Sequence, residues 1–236
     1  MFTASGPDPG RLPQAAGTGR HGYAVVDVET TGLSPQRDHV IEVGLVLLDP
    51  CGREEYAWTS LIGVPDLEDV GPKHIHGIEL EYLRGAPTLA SVSDLLARSL
   101  AGRVLVAHNT RFDLGFLVPT LVAGGWLEEG TELPQVCTMR SARSFMMTPS
   151  CSLVCCCEVA GVRLAQHHTA LNDARASAGL LRHYLMVAAE RGDQEPWAAG
   201  LEAAAGLVGW SWDEAAALAQ AGLLRRRPPH VRHRAQ

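Results

Sequence analysis

The sequence has no long hydrophobic run. No segment of its 236 residues reaches the roughly 18 to 20 consecutive apolar side chains that a membrane helix needs. Residues 1–20 lack the apolar core of a signal peptide, and their glycine, proline, alanine and serine content is typical of a disordered N-terminal arm. These absences predict a cytoplasmic protein that has no membrane among its partners.

Lysine is almost missing, and positive charge is concentrated at one end of the chain. Lys73 is the single lysine, so arginine supplies the other basic side chains. The net charge of −6 argues against a domain that binds nucleic acid through a broad basic surface. Five arginines lie in the last 12 residues, which contain no acid. The remaining chain is strongly acidic, which suits a cation site better than a phosphate-binding surface.

Cysteine occurs without the paired C-x2-C spacing of a zinc module. Four of the six cysteines fall between residues 151 and 157. Cys151 and Cys155 would share a helix face, and His167 and His168 follow, so a zinc protein built on this run is one alternative. Buried reduced thiols, which behave as small apolar side chains, are the expected state.

The order of predicted elements indicates the fold class. Apolar segments bounded by turn residues predict strands, and apolar residues spaced three and four apart predict helices. The resulting order predicts an α/β domain with a mixed sheet and helices on both faces. Strands are expected at 23–29, 39–49, 53–61, 103–107 and 136–139, helices at 91–100, within 108–125, at 152–160 and at 169–191, and an irregular segment at 65–77.

The chain divides into three parts by composition. Residues 1–20 form the arm, residues 21–190 form the main domain, and residues 191–236 form a helical extension with a basic tail. Tryptophans at 197, 210 and 212 on alanine-rich segments predict a surface that packs on the main domain or on a partner. The arginine tail either contacts nucleic acid nonspecifically or is a disordered end.

The first predicted strand ends in two carboxylates. Asp27 and Glu29 are two residues apart, so their side chains face the same side of the strand with Cα atoms roughly 6.5 to 7 Å apart. Val26 and Val28 then pack on the opposite face. The alternative is a solvated strand end with two incidental acids.

Two further segments place acids at the start of helices. Asp113 falls in the first turn of a helix after the strand at 103–107, where the helix dipole favours a carboxylate. His168 and Asp173 are five residues apart, which is too far round to share a face within one helix. If Thr169 is the N-cap, His168 lies in the preceding loop and the two side chains approach one place from different directions.

Taken together, these segments predict a metal centre. Each acid lies at a strand end or helix start, where sites of α/β sheets lie, and four clustered carboxylates cannot all stay ionised without cations between them. Oxygen ligands favour Mg²⁺ or Mn²⁺. Four carboxylates and one nearby histidine are typical of a two-metal phosphodiesterase site.

Three motifs carry a resemblance to a known family. The sequences DVETTG at 27–32, HNTRFD at 108–113 and HTALND at 168–173 resemble, in order and spacing, the motifs of the DEDDh, or DnaQ-like, 3′–5′ exonucleases. That family includes the proofreading epsilon subunit of bacterial DNA polymerase III, RNase T and oligoribonuclease. HIHGI at 74–78 resembles a segment of the epsilon-type branch. The resemblance covers about residues 22–188 and implies a ribonuclease H-like fold.

The resemblance implies a role for each acid. Asp27 would bridge two Mg²⁺ or Mn²⁺ ions, Glu29 and Asp173 would complete the tighter site, and Asp113 would hold the second ion. Water would then attack the terminal phosphodiester in line, and the product would be a nucleoside 5′-monophosphate.

The resemblance also implies that His168 is the general base. An ordinary histidine pKa near 6.5 suits a base at neutral pH. His167, one residue out of register with the motif, is the competing candidate.

Substrate contacts are implied next to the first motif. Thr30, Thr31 and Gly32 would let the backbone approach the 3′-terminal nucleotide, and Leu33 would act as a wedge against the last base. A plain turn is the alternative for these residues. Candidate phosphate contacts are Arg111, Arg140 and Arg143, for which solvated surface arginines are the alternative.

Substrate and partners remain open between alternatives. The epsilon-like segment favours single-stranded DNA 3′ ends, an RNA-processing exonuclease of the same family is the first alternative, and a non-catalytic polymerase- or nucleic-acid-binding module is the second. A DNA polymerase or repair factor is the partner expected for the extension. The chain beyond Leu224 is expected to be dispensable for catalysis on short oligonucleotides.

Overall fold

The computed structural model describes residues 21–165, 167–207 and 222–228. The predicted N-terminal arm, the tryptophans at 210 and 212 and the end of the basic tail lie outside these ranges. A 3-10 turn, Ala90–Val92, precedes the third helix. In chain order the strands and helices of the described residues are β1 Tyr23–Thr30, β2 Val40–Leu48, β3 Glu54–Leu61, α1 Lys73–His76, α2 Leu80–Leu83, α3 Ser93–Leu100, β4 Val104–Ala107, α4 Thr110–Ala123, β5 Gln135–Cys137, α5 Thr138–Phe145, α6 Leu153–Ala160, α7 Ala170–Arg191 and α8 Ala198–Ala205.

The sheet is mixed, as predicted. Its strand order is β3–β2–β1–β4–β5. The pairs β1–β2 and β2–β3 are antiparallel, whereas β1–β4 and β4–β5 are parallel. Because β2 runs opposite to β1, the end of β1 lies beside the start of β2, at the same edge as the ends of β4 and β5. Polar side chains at that edge can therefore converge.

Helices cover both faces, which confirms the predicted layering. Val26 and Val28 point to one face and pack in a cluster that includes Leu96 of α3 and Leu117 of α4. The alternate residues of β1 pack on the other face in a cluster with Leu181 of α7. Both clusters are buried, so β1 is a central strand whose polar residues are confined to its end.

Three segment predictions need correction. The strand predicted at 136–139 ends at Cys137, and a helix, α5, begins at the next residue. This helix is only eight residues long and mostly polar, and it buries only Thr138 and Ala142, so its sequence TMRSARSF carries too few apolar side chains to mark a helix. The segment predicted as irregular contains α1. Residues 222–224, the end of the C-terminal segment predicted to be helical, are not helical, and residues 222 and 223 form a turn.

The start of the C-terminal extension packs on the main domain. The Trp197 ring lies edge-on to Tyr23, with ring centroids 6.5 Å apart, and 5.6 Å from the ring of Phe145. Leu201 and Ala204 of α8 are buried in the cluster that contains Tyr23. The domain boundary at residue 190 stays a prediction. Within the described ranges no helix combines the length and apolar content needed to cross a bilayer.

Candidate metal centre and active site

Two acids near the end of β1 point to the same face of the sheet. Asp27 pairs with Gly44 and Glu29 with Glu42 in the antiparallel register of β1 and β2. Glu29 keeps 9% of its surface exposed. The spacing predicted from the sequence therefore holds, and the strand end is a partly buried position rather than a solvated one.

A glycine allows α7 to approach this strand end. A Cβ atom on Gly44 would lie 2.2 Å from the carbonyl carbon of Ala170 and 2.3 Å from the nitrogen of Leu171. With no Cβ at that position, the first turn of α7 packs directly on β2, beside Asp27. Asp173 in that turn consequently reaches the site, and one ligand oxygen each of Asp27, Glu29 and Asp173 lies within 4.8 Å of the others.

Asp113 completes the acidic cluster from another direction. It lies in the first turn of α4 and is 4% exposed. Its Oδ1 accepts a hydrogen bond of 3.2 Å from the Val28 nitrogen. Because β4 pairs with β1 only through Tyr23–Val25, the Val28 N–H faces the gap between the diverging strands, where the carboxylate takes the position of a strand partner. Asp113 is close enough to raise the pKa of Asp27.

Burial and like charge act together on these carboxyls. Burial raises the pKa of Asp27 well above its usual range, and Asp113, Asp173 and Glu29 raise it further. Burial raises the pKa of Glu29 to about 8, although the Arg227 guanidinium opposes this rise. Burial likewise raises the pKa of Asp113 to about 7, against the effect of its backbone hydrogen bonds. Divalent cations would remove the repulsion, so the donor set and its electrostatics fit a hard metal ion.

Two adjacent histidines border the cluster. His167 Nδ1 lies 2.9 Å from each carboxylate oxygen of Asp173. The His168 backbone nitrogen donates to the same carboxylate at 3.1 Å, its φ is +69°, and its ring stacks on that of His167 at 3.7 Å. Burial and the neighbouring His167 lower the pKa of His168, while Asp173 opposes the shift. A half-buried neutral imidazole therefore lies beside the carboxylates.

His108 and His76, in two of the motifs, have structural partners. Both ring nitrogens of His108 are bonded, Nδ1 with Thr138 Oγ1 at 2.9 Å and Nε2 with the Cys151 carbonyl at 2.8 Å. Burial lowers the pKa of His108. In HIHGI, His76 Nε2 lies 3.1 Å from the Val70 carbonyl, and its Nδ1 accepts from the Ile78 nitrogen. These contacts orient loops around the site.

The segment after β1 forms a constrained turn with one exposed apolar side chain. Thr30 Oγ1 donates to the Gly32 carbonyl at 2.6 Å, and Thr31 exchanges two hydrogen bonds with the His39 backbone. A Cβ on Gly32 would meet the Asp38 carboxylate at 2.5 Å. Leu33 projects from this turn with 85% of its surface exposed.

The cysteine run does not form a metal site in the part of the chain that the structure describes. Neither group of clustered ligands there includes a cysteine. Cys156 and Cys157 are buried free thiols, and burial raises the pKa of Cys157 to about 12. The expected packing role therefore holds for Cys156 and Cys157, whereas Cys151 and Cys155 are half-buried.

His167, the competing candidate for the general base, bonds the Asp173 carboxylate through its ring. Glu42 is a residue at the site that the sequence did not predict. Glu42 is almost completely buried opposite Glu29. The sequence signal for Glu42 is a lone acid inside the otherwise apolar strand VIEVGLVLL.

Fold and site together define a nuclease of the ribonuclease H-like class. The chain belongs to the RNase T exonuclease family, whose sequence profile matches residues 24–181. This membership confirms the resemblance to DnaQ-like 3′–5′ exonucleases, which are metal-dependent phosphodiester hydrolases.

Relatives and solved structures agree with this family. The chain is 31% identical over 166 residues to a PolC-type DNA polymerase III of Thermotoga petrophila. The aligned region is 69% of this chain but only 12% of that polymerase, so this chain spans a small part of its relative's length. E. coli exonuclease I in complex with a dT13 oligonucleotide shares the fold with a TM-score of 0.62 at 14% identity, over 72% of this chain and 42% of that one. Exonuclease X in complex with 5′ overhanging duplex DNA shares the fold with a TM-score of 0.56 at 23% identity, over 76% of this chain and 98% of that one.

Proposed function

We propose that the chain is a DEDDh-type, metal-dependent exonuclease that releases nucleoside 5′-monophosphates from single-stranded or frayed 3′ ends, with DNA as the favoured substrate. The observation that carries this proposal is the convergence of ligand oxygens from Asp27, Glu29 and Asp173 within 4.8 Å. Asp113 lies behind them and His168 beside them. No single element contributes more than two of these five side chains.

The proposed cofactors are two Mg²⁺ or Mn²⁺ ions. Asp27 would contribute to holding both ions, Glu29 and Asp173 would hold one of them, and Asp113 the other. When bound, these cations would neutralise the carboxylates and stabilise the negative charge that develops on the phosphate and on the leaving oxygen. The raised pKa values of Glu29 and Asp113 support the need for such neutralisation.

His168 acts as the general base in this proposal. Its ring is half-buried and its lowered pKa leaves it neutral near pH 7. It takes one proton from the attacking water while the oxygen forms a bond to phosphorus. The bond from phosphorus to the 3′ oxygen breaks, the 3′ oxygen takes a proton from solvent, and histidine returns its proton to bulk water.

The turn after β1 and a nearby cavity would hold the substrate. Thr30, Thr31 and Gly32 would line the site, and the exposed side chain of Leu33 would contact the last base. A cavity of about 490 Å³ opens beside the first turn of α4 and is lined by Thr110, Gln135, Arg140, Ser141 and Trp197 among others. The Arg140 side chain makes no hydrogen bond within the described residues, so it is available for a backbone phosphate.

DNA is favoured over RNA because of what the relatives act on or bind. The polymerase relative is a DNA polymerase, and both nuclease structures contain DNA. A polymerase or repair factor is the proposed protein partner, contacted through residues of the extension, and the cytoplasm is the proposed location.

The test compares 5′-labelled single-stranded DNA and RNA of equal sequence, with Mn²⁺, Mg²⁺ or EDTA. We expect a ladder that shortens from the 3′ end with either metal and stops with EDTA, faster on DNA. Asp27→Ala should abolish it. Faster loss of RNA would reassign the substrate, and failure to degrade either polymer with either metal would refute the activity.

A further inference from the structure

Residues 222–228 run along the outer side of β3, the edge strand of the sheet. The Leu61 nitrogen donates to the Arg225 carbonyl at 2.7 Å, and the Arg225 nitrogen donates to Ser60 Oγ at 3.1 Å. Leu224 packs against the hydrophobic cluster on that side. This segment, which we call the edge segment, is therefore attached to the sheet by backbone contacts and an apolar anchor.

The edge segment places one guanidinium beside the metal centre. Arg227 Nε and Nη2 donate to the two carboxylate oxygens of Glu42 at 2.7 and 2.6 Å. Arg227 Nη1 donates to the His76 carbonyl at 2.5 Å. The Arg227 side chain is 12% exposed and the Glu42 side chain is 3% exposed. A two-pronged contact of this kind fixes the orientation of both groups.

Glu42 connects Arg227 to the start of α7. Its Oε2 also accepts a hydrogen bond from the Ala170 nitrogen at 2.9 Å. Ala170 is the first residue of α7, between His168 and Asp173 in sequence. Three segments far apart in the chain thus share one carboxylate: the edge segment, β2 and the loop that carries the proposed base.

Glu42 is also a fifth carboxylate at the acidic cluster. It lies opposite Glu29 in the β1–β2 register. The guanidinium satisfies this carboxylate on both oxygens, so Glu42 faces Arg227 and Ala170 and not the metal ligands. An unpaired buried carboxylate at this position would be strongly disfavoured and would compete for the same cations.

We propose that Arg227 is a positioning residue of the exonuclease: it holds Glu42 out of the metal centre and, through Glu42, fixes the backbone that presents His168. The proposal rests on the proposed function. It reverses the expectation that the chain beyond Leu224 is dispensable, because the edge segment completes the site although it contributes no ligand to it.

The test compares Arg227→Met with Arg226→Met in the full chain. Arg226 is exposed and adjacent, so the control removes the same charge from the same segment. We expect Arg227→Met to lower kcat with Mn²⁺ on a short single-stranded DNA by about 10- to 100-fold, the usual effect of losing an outer-shell partner. KM should change less than about twofold, because Arg227 bonds Glu42 and the His76 carbonyl and none of the proposed substrate contacts, and Arg226→Met should match the wild type.

Hydrogen exchange at the Ala170 amide gives a readout independent of activity. Its protection should fall in Arg227→Met and not in Arg226→Met. Glu42→Gln/Arg227→Met should regain part of the lost kcat, because no unpaired carboxylate is left and the glutamine oxygen still accepts from Ala170. Should Arg227→Met fail to fold, this double variant carries the same measurements.

Two outcomes would overturn the proposal. The first is equal kcat and equal Ala170 exchange in Arg227→Met and Arg226→Met. The second is a double variant whose fold-loss of kcat equals the product of the fold-losses of Glu42→Gln and Arg227→Met measured singly, which would mean that the two side chains act independently. An inactive wild type would instead refute the nuclease assignment, and the exchange result would still decide whether Arg227 holds the start of α7.

Discussion

His167 Nδ1 lies 2.9 Å from both carboxylate oxygens of Asp173, whereas His168 reaches that carboxylate through its backbone nitrogen. The two neighbouring histidines therefore contact one acid in different ways. The His167 ring orients a predicted metal ligand, whereas the His168 ring stacks on that of His167 at 3.7 Å and makes no hydrogen bond to Asp173 among the described residues. This geometry separates a structural histidine from one whose ring remains available for proton transfer.

We expect His168→Ala and His167→Asn to differ in kind. Loss of the base should lower kcat by about 10²- to 10⁴-fold, with little change in the Mn²⁺ concentration needed for half-maximal rate. His167→Asn should leave a larger kcat but raise that Mn²⁺ concentration by about tenfold or more, because an orienting partner of Asp173 is lost. Steady-state rates at varied Mn²⁺ measure both.

The reverse pattern would contradict this division of roles. If His167→Asn abolished turnover while His168→Ala mainly weakened metal dependence, then His167 would be the base despite its register. His183, on α7 away from these contacts, serves as a control histidine, and His183→Ala should match the wild type.

The metal-free protein should lose stability as pH rises. Folding raises the pKa of Asp113 to about 7 and that of Glu29 to about 8, so the native state holds protons that the unfolded state has released. Their contribution is present below the unfolded pKa values near 4 and is lost as pH rises through 7 and 8. We expect Tm in EDTA to fall by about 5 to 10 °C between about pH 6 and 9.

Asp113→Asn tests the cause of that decline. The amide oxygen can still accept from the Val28 nitrogen, so the change removes charge and little else. In EDTA at about pH 8 the variant should melt about 2 to 4 °C above the wild type, while its exonuclease rate is lost. Added Mn²⁺ should stabilise the wild type more as pH rises, because its ligands must be deprotonated. A Tm in EDTA that is flat or rising with pH would contradict the raised pKa values.

Much of the fold could be predicted because its signals are local. A short window of sequence is enough to predict the apolar run of β1, the strand β4 and the long periodic helix α7. Helix α5 does not, since it lies on the surface and buries few side chains. The three-residue strand β5 is equally weak in sequence, because its parallel pairing with β4 and not its composition defines it.

The acids of the site could be predicted for a similar reason. Asp27 and Glu29 share a face by strand geometry, and helix starts account for Asp113 and Asp173. Glu42 and Arg227 are separated by 185 residues, so no local pattern connects them. Their contact depends on where the edge segment crosses the sheet, which is a property of the tertiary structure.

Gly44→Ala should disturb the site from the side of β2. The added Cβ would lie 2.2 Å from the Ala170 backbone, so the first turn of α7 must move and carry His168 and Asp173 with it. We expect a destabilisation of about 1 to 3 kcal/mol, measured by denaturant unfolding, together with a loss of exonuclease rate.

Gly200→Ala is the matched control for that change. Its Cβ would meet a Val104 methyl at 3.5 Å, an ordinary contact, and alanine is the better helix former in α8. Stability should be unchanged or slightly higher. Equal behaviour of the two variants would mean that α7 tolerates displacement at its start.

Leu33→Ala should weaken catalysis on single-stranded DNA without changing the stability of the fold. The side chain is 85% exposed, so its truncation removes almost no buried surface and Tm should stay within about 1 °C of the wild type. If Leu33 stacks against the last base, kcat/KM on single-stranded DNA should fall by about tenfold, in the range of one lost base contact. The decrease should be smaller on a substrate whose 3′-terminal nucleotide lacks a base, because the wedge then has nothing to contact. Equal decreases on the two substrates would show that Leu33 acts through the backbone turn and not through the base.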